Sequence, residues 1–145
     1  ESMDWPVKRR MVGTDTSKTD FYEDRLRALA KAIASADARF SDVDLMVCPT
    51  VAITPPAVAE CDEPETYAPS NLLSLRNTAI GNYLGLCGLT LPVGKDGAGM
   101  PVGLQLLARG GHDEQLLSAG LAVEGVLGQA ADTIGRAPGV VPPPR

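Results

Sequence analysis

Leu89-Thr90-Leu91-Pro92-Val93, then Gly94-Lys95-Asp96-Gly97-Ala98-Gly99, then Val102-Gly103-Leu104-Gln105-Leu106-Leu107 is the stretch on which the fold turns. Two short apolar runs flank a Gly-rich linker, which predicts a strand, a long turn and a returning strand, a β-hairpin. Pro92 and Pro101 have no N–H to donate and fall where ladder bonding ends, which puts the hairpin at a sheet margin. Downstream, Leu116, Gly120, Val123 and Leu127 recur at helical spacing and predict a helix over 113–127. Asp113 and Glu114 suit the positive end of its dipole, and Gly128 is its natural stop.

Upstream of the hairpin a helix is predicted over 70–84, with Leu73, Ile80 and Leu84 as its apolar stripe. Leu75, Thr78 and Asn82 share a neighbouring face, Gly81 and Gly85 allow another backbone to approach, and Gly85 and Gly88 end it. Before it, Pro55-Pro56 and residues 61–69 read as a long polar connection, a kind of segment that is often functional or covering. Residues 43–48 (Val-Asp-Leu-Met-Val-Cys) are apolar at every position but one and predict a strand buried on both faces, in a parallel or mixed sheet. Pro49 stops it. A further helix starts at Asp20, which has Glu23 at capping-box spacing. Its stripe is Tyr22, Leu26, Leu29, Ile33, Ala36 and Phe40, for which a core face is the plainer reading than a partner face. Glu23 and Arg27 are placed for an i,i+4 pair. Residues 1–18 are polar and irregular, with 13–18 read as a loop.

The 145 residues allow one domain at most, and 44% hydrophobic with 21% charged residues argues against wholesale disorder. Aromatic residues make up only 4%, so the core must be built from Leu, Val, Ile and Ala. No apolar run approaches the ~20 residues of a membrane-spanning helix, and Glu1-Ser2-Met3-Asp4-Trp5-Pro6 has no basic region leading into an apolar one. A net charge of −5 with dispersed basic residues, Lys8-Arg9-Arg10 apart, disfavours direct contact with nucleic acid. Cys48, Cys61 and Cys87 cannot all pair and form no Cys-x-x-Cys, so a reducing, cytoplasmic setting is expected.

Most catalytic chemistries fail on the residues present. One histidine and three scattered cysteines do not make a metal site, for which close pairs of ligands are needed. His112 precedes a helix and reads as a solvated or capping residue. Gly94-Lys95-Asp96 lacks the glycine spacing and the hydroxyl of a phosphate loop, and Gly97-Ala98-Gly99 does not continue into a dinucleotide fingerprint. None of the seven serines lies in a Gly-x-Ser-x-Gly elbow, Cys87 reads as a small buried hydrophobe, and the four lysines fall in segments that read as exposed. The chain holds no complete catalytic constellation.

Four segments, taken in order, carry a resemblance. Asp42-Val43-Asp44-Leu45-Met46-Val47-Cys48-Pro49-Thr50 resembles the acidic, apolar, Pro-Thr strand and loop of the amidase signature family. Residues 78–94, with Asn82, Gly85 and Pro92-Val93-Gly94, resemble that family's late helix and strand. Met100-Pro101-Val102-Gly103-Leu104-Gln105-Leu106-Leu107 is similar to its Leu-Pro-Val-Gly-Leu-Gln strand, the most telling piece. The helix with Glu114, Leu116, Leu117 and Glu124 follows as it does there, and Arg9-Arg10 before Phe21-Tyr22 and Arg25 fits the opening. The resemblance covers residues 1–128.

It implies an α/β fold, the C-terminal part of the amidase signature fold, with a mixed central β-sheet flanked by helices. Residues 1–128 would be the C-terminal segment of an amidase domain, and 129–145 a Pro-rich extended or disordered tail, most clearly from Arg136 on. Family members cleave or transfer amide nitrogen through a Ser–cis-Ser–Lys triad and an acyl-enzyme, with no cofactor and no metal. That triad belongs to a Gly/Ser-rich region upstream that nothing here matches. No catalytic residue carries over, and this chain alone is expected to be inactive. The substrate-binding candidates are Thr50, Arg76, Asn77 and Asn82. Arg76 is suited to a substrate carboxylate, against a plainer reading as a surface or capping arginine. Asn82 is suited to bonding neighbouring backbone and fixing the helix to the sheet. The partners implied are a small-molecule amide substrate and the missing N-terminal part of the same enzyme. A homodimer is left open, and neither nucleic acid nor membrane is implied. The alternatives are the amide-cleaving component of a tRNA-dependent amidotransferase and a noncatalytic interaction module that keeps amidase elements.

Overall fold

A computed structural model describes residues 19–136. In chain order these form helix α1 (Thr19–Arg39), strand β1 (Met46–Pro49), a 3₁₀ turn (Val58–Cys61), helix α2 (Pro64–Leu84), strands β2 (Cys87–Lys95) and β3 (Pro101–Ala108), helix α3 (Asp113–Leu127) and a single helical turn, α4 (Ala130–Thr133). The three strands make one antiparallel sheet in the order β1-β3-β2. β2 and β3 are the predicted hairpin, and β2 is an edge strand, so Pro92 breaks no inner ladder. The turn is closed by Asp96, whose Oδ1 accepts from the backbone N–H groups of Ala98 (2.9 Å) and Met100 (2.8 Å).

Alternation along β3 assigns the two faces of the sheet. Leu104, Leu106 and Ala108 lie opposite Leu91, Leu89 and Cys87, and α3 packs over them. Leu106, Ala108 and Leu116 are the centre of this core. Gly120 lets α3 settle on Leu89, since a Cβ there would collide with the Leu89 Cδ2. The opposite face carries Gly103, Gln105 and Leu107 beside Pro92, Thr90 and Gly88. Here α2 comes down on Leu107 at Gly81, where a Cβ would sit 3.2 Å from the leucine Cδ2. The result is helix, sheet, helix, with an apolar interior on the α3 side and a more polar one on the α2 side.

Helix α3 spans the residues its periodicity predicts, and Leu116 and Gly120 are its buried positions. Helix α2 starts six residues earlier than predicted, at Pro64 rather than residue 70. Pro64 occupies the first turn, where its missing N–H has no intrahelical partner to lose. Pro69 forgoes one bond to the Glu65 carbonyl, and Glu65 is exposed, so water can take that acceptor. The apolar stripe of α2 is not a core face here: Leu73 and Ile80 are exposed and only Gly81 is buried. Gly85, in the left-handed region at φ 65°, ends the helix, while Gly88 belongs to β2. The backbone approach expected at Gly81 and Gly85 takes another form: a Cβ at Gly85 would meet nothing, Gly81 is met by the Leu107 side chain, and it is Gly110 that comes so close to the Gly85 carbonyl that a side chain on it would strike that oxygen.

Two further expectations are corrected. The run at 43–48 reads as buried on both faces, yet β1 is an edge strand with Met46 and Val47 exposed. The Thr50 N–H donates to the Gly103 carbonyl at 2.9 Å, so by alternation Cys48 and Met46 bond to β3. The N–H of Val47 therefore faces outward, and Pro49 occupies the outward position that needs none. The stripe that runs along α1 is a core face only at its end, where Ala36 and Phe40 are buried, while Tyr22, Leu26 and Ile33 are exposed. The helix makes its main contact among the helices and strands with α2, and near its end Arg109, which follows β3, donates to the Asp37 carbonyl at 2.9 Å. The helix also begins at Thr19, so Asp20 lies inside it rather than at its cap. Glu23 and Arg27 pair at 3.0 Å, and Asp24 joins them at 2.8 Å.

The tail expected to be extended from residue 129 instead opens with α4, which packs on β2. The Gly13–Lys18 loop, the Arg9-Arg10 opening and the Pro-rich stretch from residue 137 lie outside the described residues. Among the described residues no helix is long and apolar enough to cross a membrane.

Candidate functional site

The polar face of the sheet meets α2 at the junction of Pro49 and Thr50, where the chain leaves β1. Asn77 on α2 donates from Nδ2 to the Pro49 carbonyl at 2.7 Å. The Thr50 N–H bonds the Gly103 carbonyl, and its hydroxyl donates to the Thr90 hydroxyl at 3.2 Å. Arg76 donates from Nε to the Asn77 Oδ1 at 3.3 Å, and its remaining guanidinium nitrogens have no partner among the described residues. One junction is thus held from α2, β3 and β2 at once.

Thr50, Arg76 and Asn77 are brought together; Asn82 is not. It lies five residues beyond Asn77, about 140° further round the helix. It is exposed and makes no side-chain hydrogen bond among the described residues, so the expected bond fixing the helix to the sheet is absent there. Sequence reasoning missed Thr90, Gly103, Gln105 and Cys48. Gly103 has no side chain because its Cβ would sit 2.7 Å from the Thr50 Oγ1 and 2.8 Å from the Thr90 Cγ2. Gln105 is buried and accepts from the Cys48 thiol at 3.6 Å. A signal was available: Thr90 and Gln105 are the polar residues in their two apolar runs, and hairpin register sets them opposite each other.

The loop that follows Thr50 lines two larger open depressions and, between residues 51–55 and 101–103, a smaller one of about 220 Å³. Of the larger two, one, of about 320 Å³, lies between this loop and the first half of α2, and is lined by Val51, Pro55, Cys61, Tyr67, Asn71 and Ser74. The other, of about 370 Å³, lies over the hairpin and is lined by Thr50, Val51, Thr90, Pro92, Val102 and Ile134. Apolar walls with a few hydroxyl and amide groups suit binding of a small, mostly apolar molecule with one or two polar atoms. Among the described residues lining these depressions no hydrogen bond pairs a nucleophile with a base. At the far end of the sheet, His112 stands at the start of α3 and contacts the Gln115 Oε1 through Nδ1 at 3.0 Å, a solvent-side role. Among the described residues no group of three or more His, Cys, Asp and Glu side chains converges as metal ligands would.

Comparison with known proteins gives one consistent result. The family model described as Amidase matches residues 1–117. The chain is 38% identical over 135 residues to the 2-amino-5-chloromuconic acid deaminase of Comamonas testosteroni, covering 93% of this chain and 29% of that protein. It is also 38% identical over 123 residues to the A-type subunit of the glutamyl-tRNA(Gln) amidotransferase of Thermus thermophilus, covering 81% of this chain and 25% of that one. Among solved structures, it superposes on 6-aminohexanoate cyclic dimer hydrolase with a TM-score of 0.69 at 26% identity, over 93% of this chain and 29% of the hydrolase. The chain spans under a third of the length of the relatives it matches.

Proposed function

The chain belongs to the amidase family, and from that membership we propose that it forms the C-terminal portion of an enzyme that hydrolyses carboxylic amides. The match over residues 1–117 carries this reading. In the complete enzyme the upstream part supplies a Ser–cis-Ser–Lys triad, the serine attacks the amide carbonyl, nitrogen leaves as ammonia or amine, and water releases the acyl group. No cofactor or metal takes part. The present segment provides no triad residue and is inactive by itself.

Its contribution is a wall. Thr50, Arg76 and Asn77 lie on the substrate side of the assembled enzyme, and Asn82, on another face of α2, reaches substrate only by way of the part of the enzyme that packs there. Arg76, with its terminal nitrogens unengaged, is the group suited to a carboxylate on the substrate. The upstream part docks along β1, whose outer edge and apolar Met46 and Val47 are open. β2 is the less suitable edge, since a register shift between Pro92 and Gly94 interrupts it and α4 packs against it. Three free thiols fit a reducing, cytoplasmic setting.

Ammonia release from simple primary amides tests the proposal. The complete enzyme should be active without partner subunits, and the isolated 145-residue chain should not. Activity of the complete protein only in the presence of further subunits would favour the amidotransferase reading, which the relatives from glutamyl-tRNA(Gln) amidotransferases support. Amide hydrolysis by the isolated chain, abolished by changing one of its own side chains, would overturn the account.

A further inference from the structure

Val51 belongs to both depressions beside the Pro49–Thr50 junction. It faces the cleft against α2 on one side and the hollow over the hairpin on the other. It lines both spaces, of about 320 and 370 Å³, and also the smaller one of about 220 Å³ between residues 51–55 and the hairpin, and it is the residue common to all three. The residue before it is the most firmly tied in the loop, through the Thr50 N–H to Gly103, the Thr50 hydroxyl to Thr90, and Asn77 to the Pro49 carbonyl. A lining residue on a fixed post has a defined position, whereas the same valine on a free loop would not.

We propose that Val51 is a specificity-determining residue: it sets how long an acyl group the enzyme accepts by dividing one continuous apolar trough into two. Both sides of the partition are mostly apolar, so the substrate property it reads is chain length rather than charge. This inference rests on the amidase reading above. Asn77 acts with it as a positioning residue, because its bond to Pro49 fixes where Val51 stands.

The test uses the complete enzyme and a series of linear primary amides from propanamide to octanamide, with kcat/KM measured by ammonia release. Val51→Ala lowers the partition and should move the preference toward longer chains, and Val51→Leu should move it toward shorter ones. Each should change the long-to-short ratio by about tenfold or more, the scale on which pockets discriminate by a methylene or two. Val51→Thr keeps the volume and should leave the length profile in place. Asn77→Ala should broaden the profile, narrowing the KM differences between chain lengths relative to wild type. If the variants are folded and active with the wild-type length profile, the inference is wrong and the amidase reading stands. If wild type hydrolyses no amide in the series, the amidase reading fails and the inference falls with it. Should Val51→Ala not fold, Val51→Leu against Val51→Thr gives the same decision.

Discussion

Adding one methyl group at Gly103 probes the junction directly. An alanine Cβ there would stand 2.7 Å from the Thr50 hydroxyl oxygen and 2.8 Å from the Thr90 methyl carbon, where ordinary contacts are 3.4 Å or more. The backbone of Gly103 is not in the left-handed region, so the substitution carries no conformational penalty. It even gains about 0.4–1 kcal/mol by restricting the unfolded chain. Against this, Thr50 must swing away and give up its bond to Thr90, a loss of about 0.5–1.5 kcal/mol. Forcing a methyl between two packed side chains costs about 1–3 kcal/mol more. Thr50 begins a loop and can yield, so a net destabilisation of about 1–3 kcal/mol is expected in urea unfolding of the complete enzyme. Thr90→Ser removes the obstructing Cγ2 and keeps an acceptor for Thr50. In the Gly103→Ala background it should return about 1 kcal/mol, a coupling that a double-mutant cycle reads. Stability of Gly103→Ala within about 0.5 kcal/mol of wild type, or strict additivity of the two changes, would refute the geometry.

Two other outcomes follow from the same structure. Leu106→Ala, in the best-buried part of the α3 face, should cost about 2–5 kcal/mol by leaving a cavity under Leu116, measurable by urea denaturation. Arg76→Ala should raise KM for amides that carry a carboxylate and leave neutral amides unchanged, as steady-state kinetics on matched substrates would reveal. Equal effects on both would remove Arg76 from substrate recognition.

The hairpin and α3 were legible in the sequence because their patterns answer to surfaces the chain itself supplies. Leu89, Leu104, Leu106, Leu116 and Val123 pack on one another, so their spacing is satisfied within the described residues. The apolar stripes of α1 and β1 answer to surfaces that the described residues do not supply, which is why Tyr22, Leu26, Met46 and Val47 read as interior and stand exposed. Pro64 and Pro69 concealed the start of α2, since a proline in the first turns of a helix looks the same in sequence as one that breaks it. At the candidate site, the resemblance pointed to Thr50 and Asn77, and the structure puts both at one junction. Thr90 and Gly103 escaped notice because their importance lies in cross-strand register, which sets a methyl and a hydroxyl around a missing Cβ. Asn82 fits the family pattern yet stands apart from the junction; no contact among the described residues explains it.

That this sheet is finished by the rest of the enzyme can be tested at one backbone amide. The Val47 N–H points away from β3, at the open side of β1. Hydrogen exchange followed by mass spectrometry on the peptide spanning β1 should show it strongly protected in the complete enzyme and fast in the isolated chain. Equal exchange in both forms would contradict a docked strand along that edge.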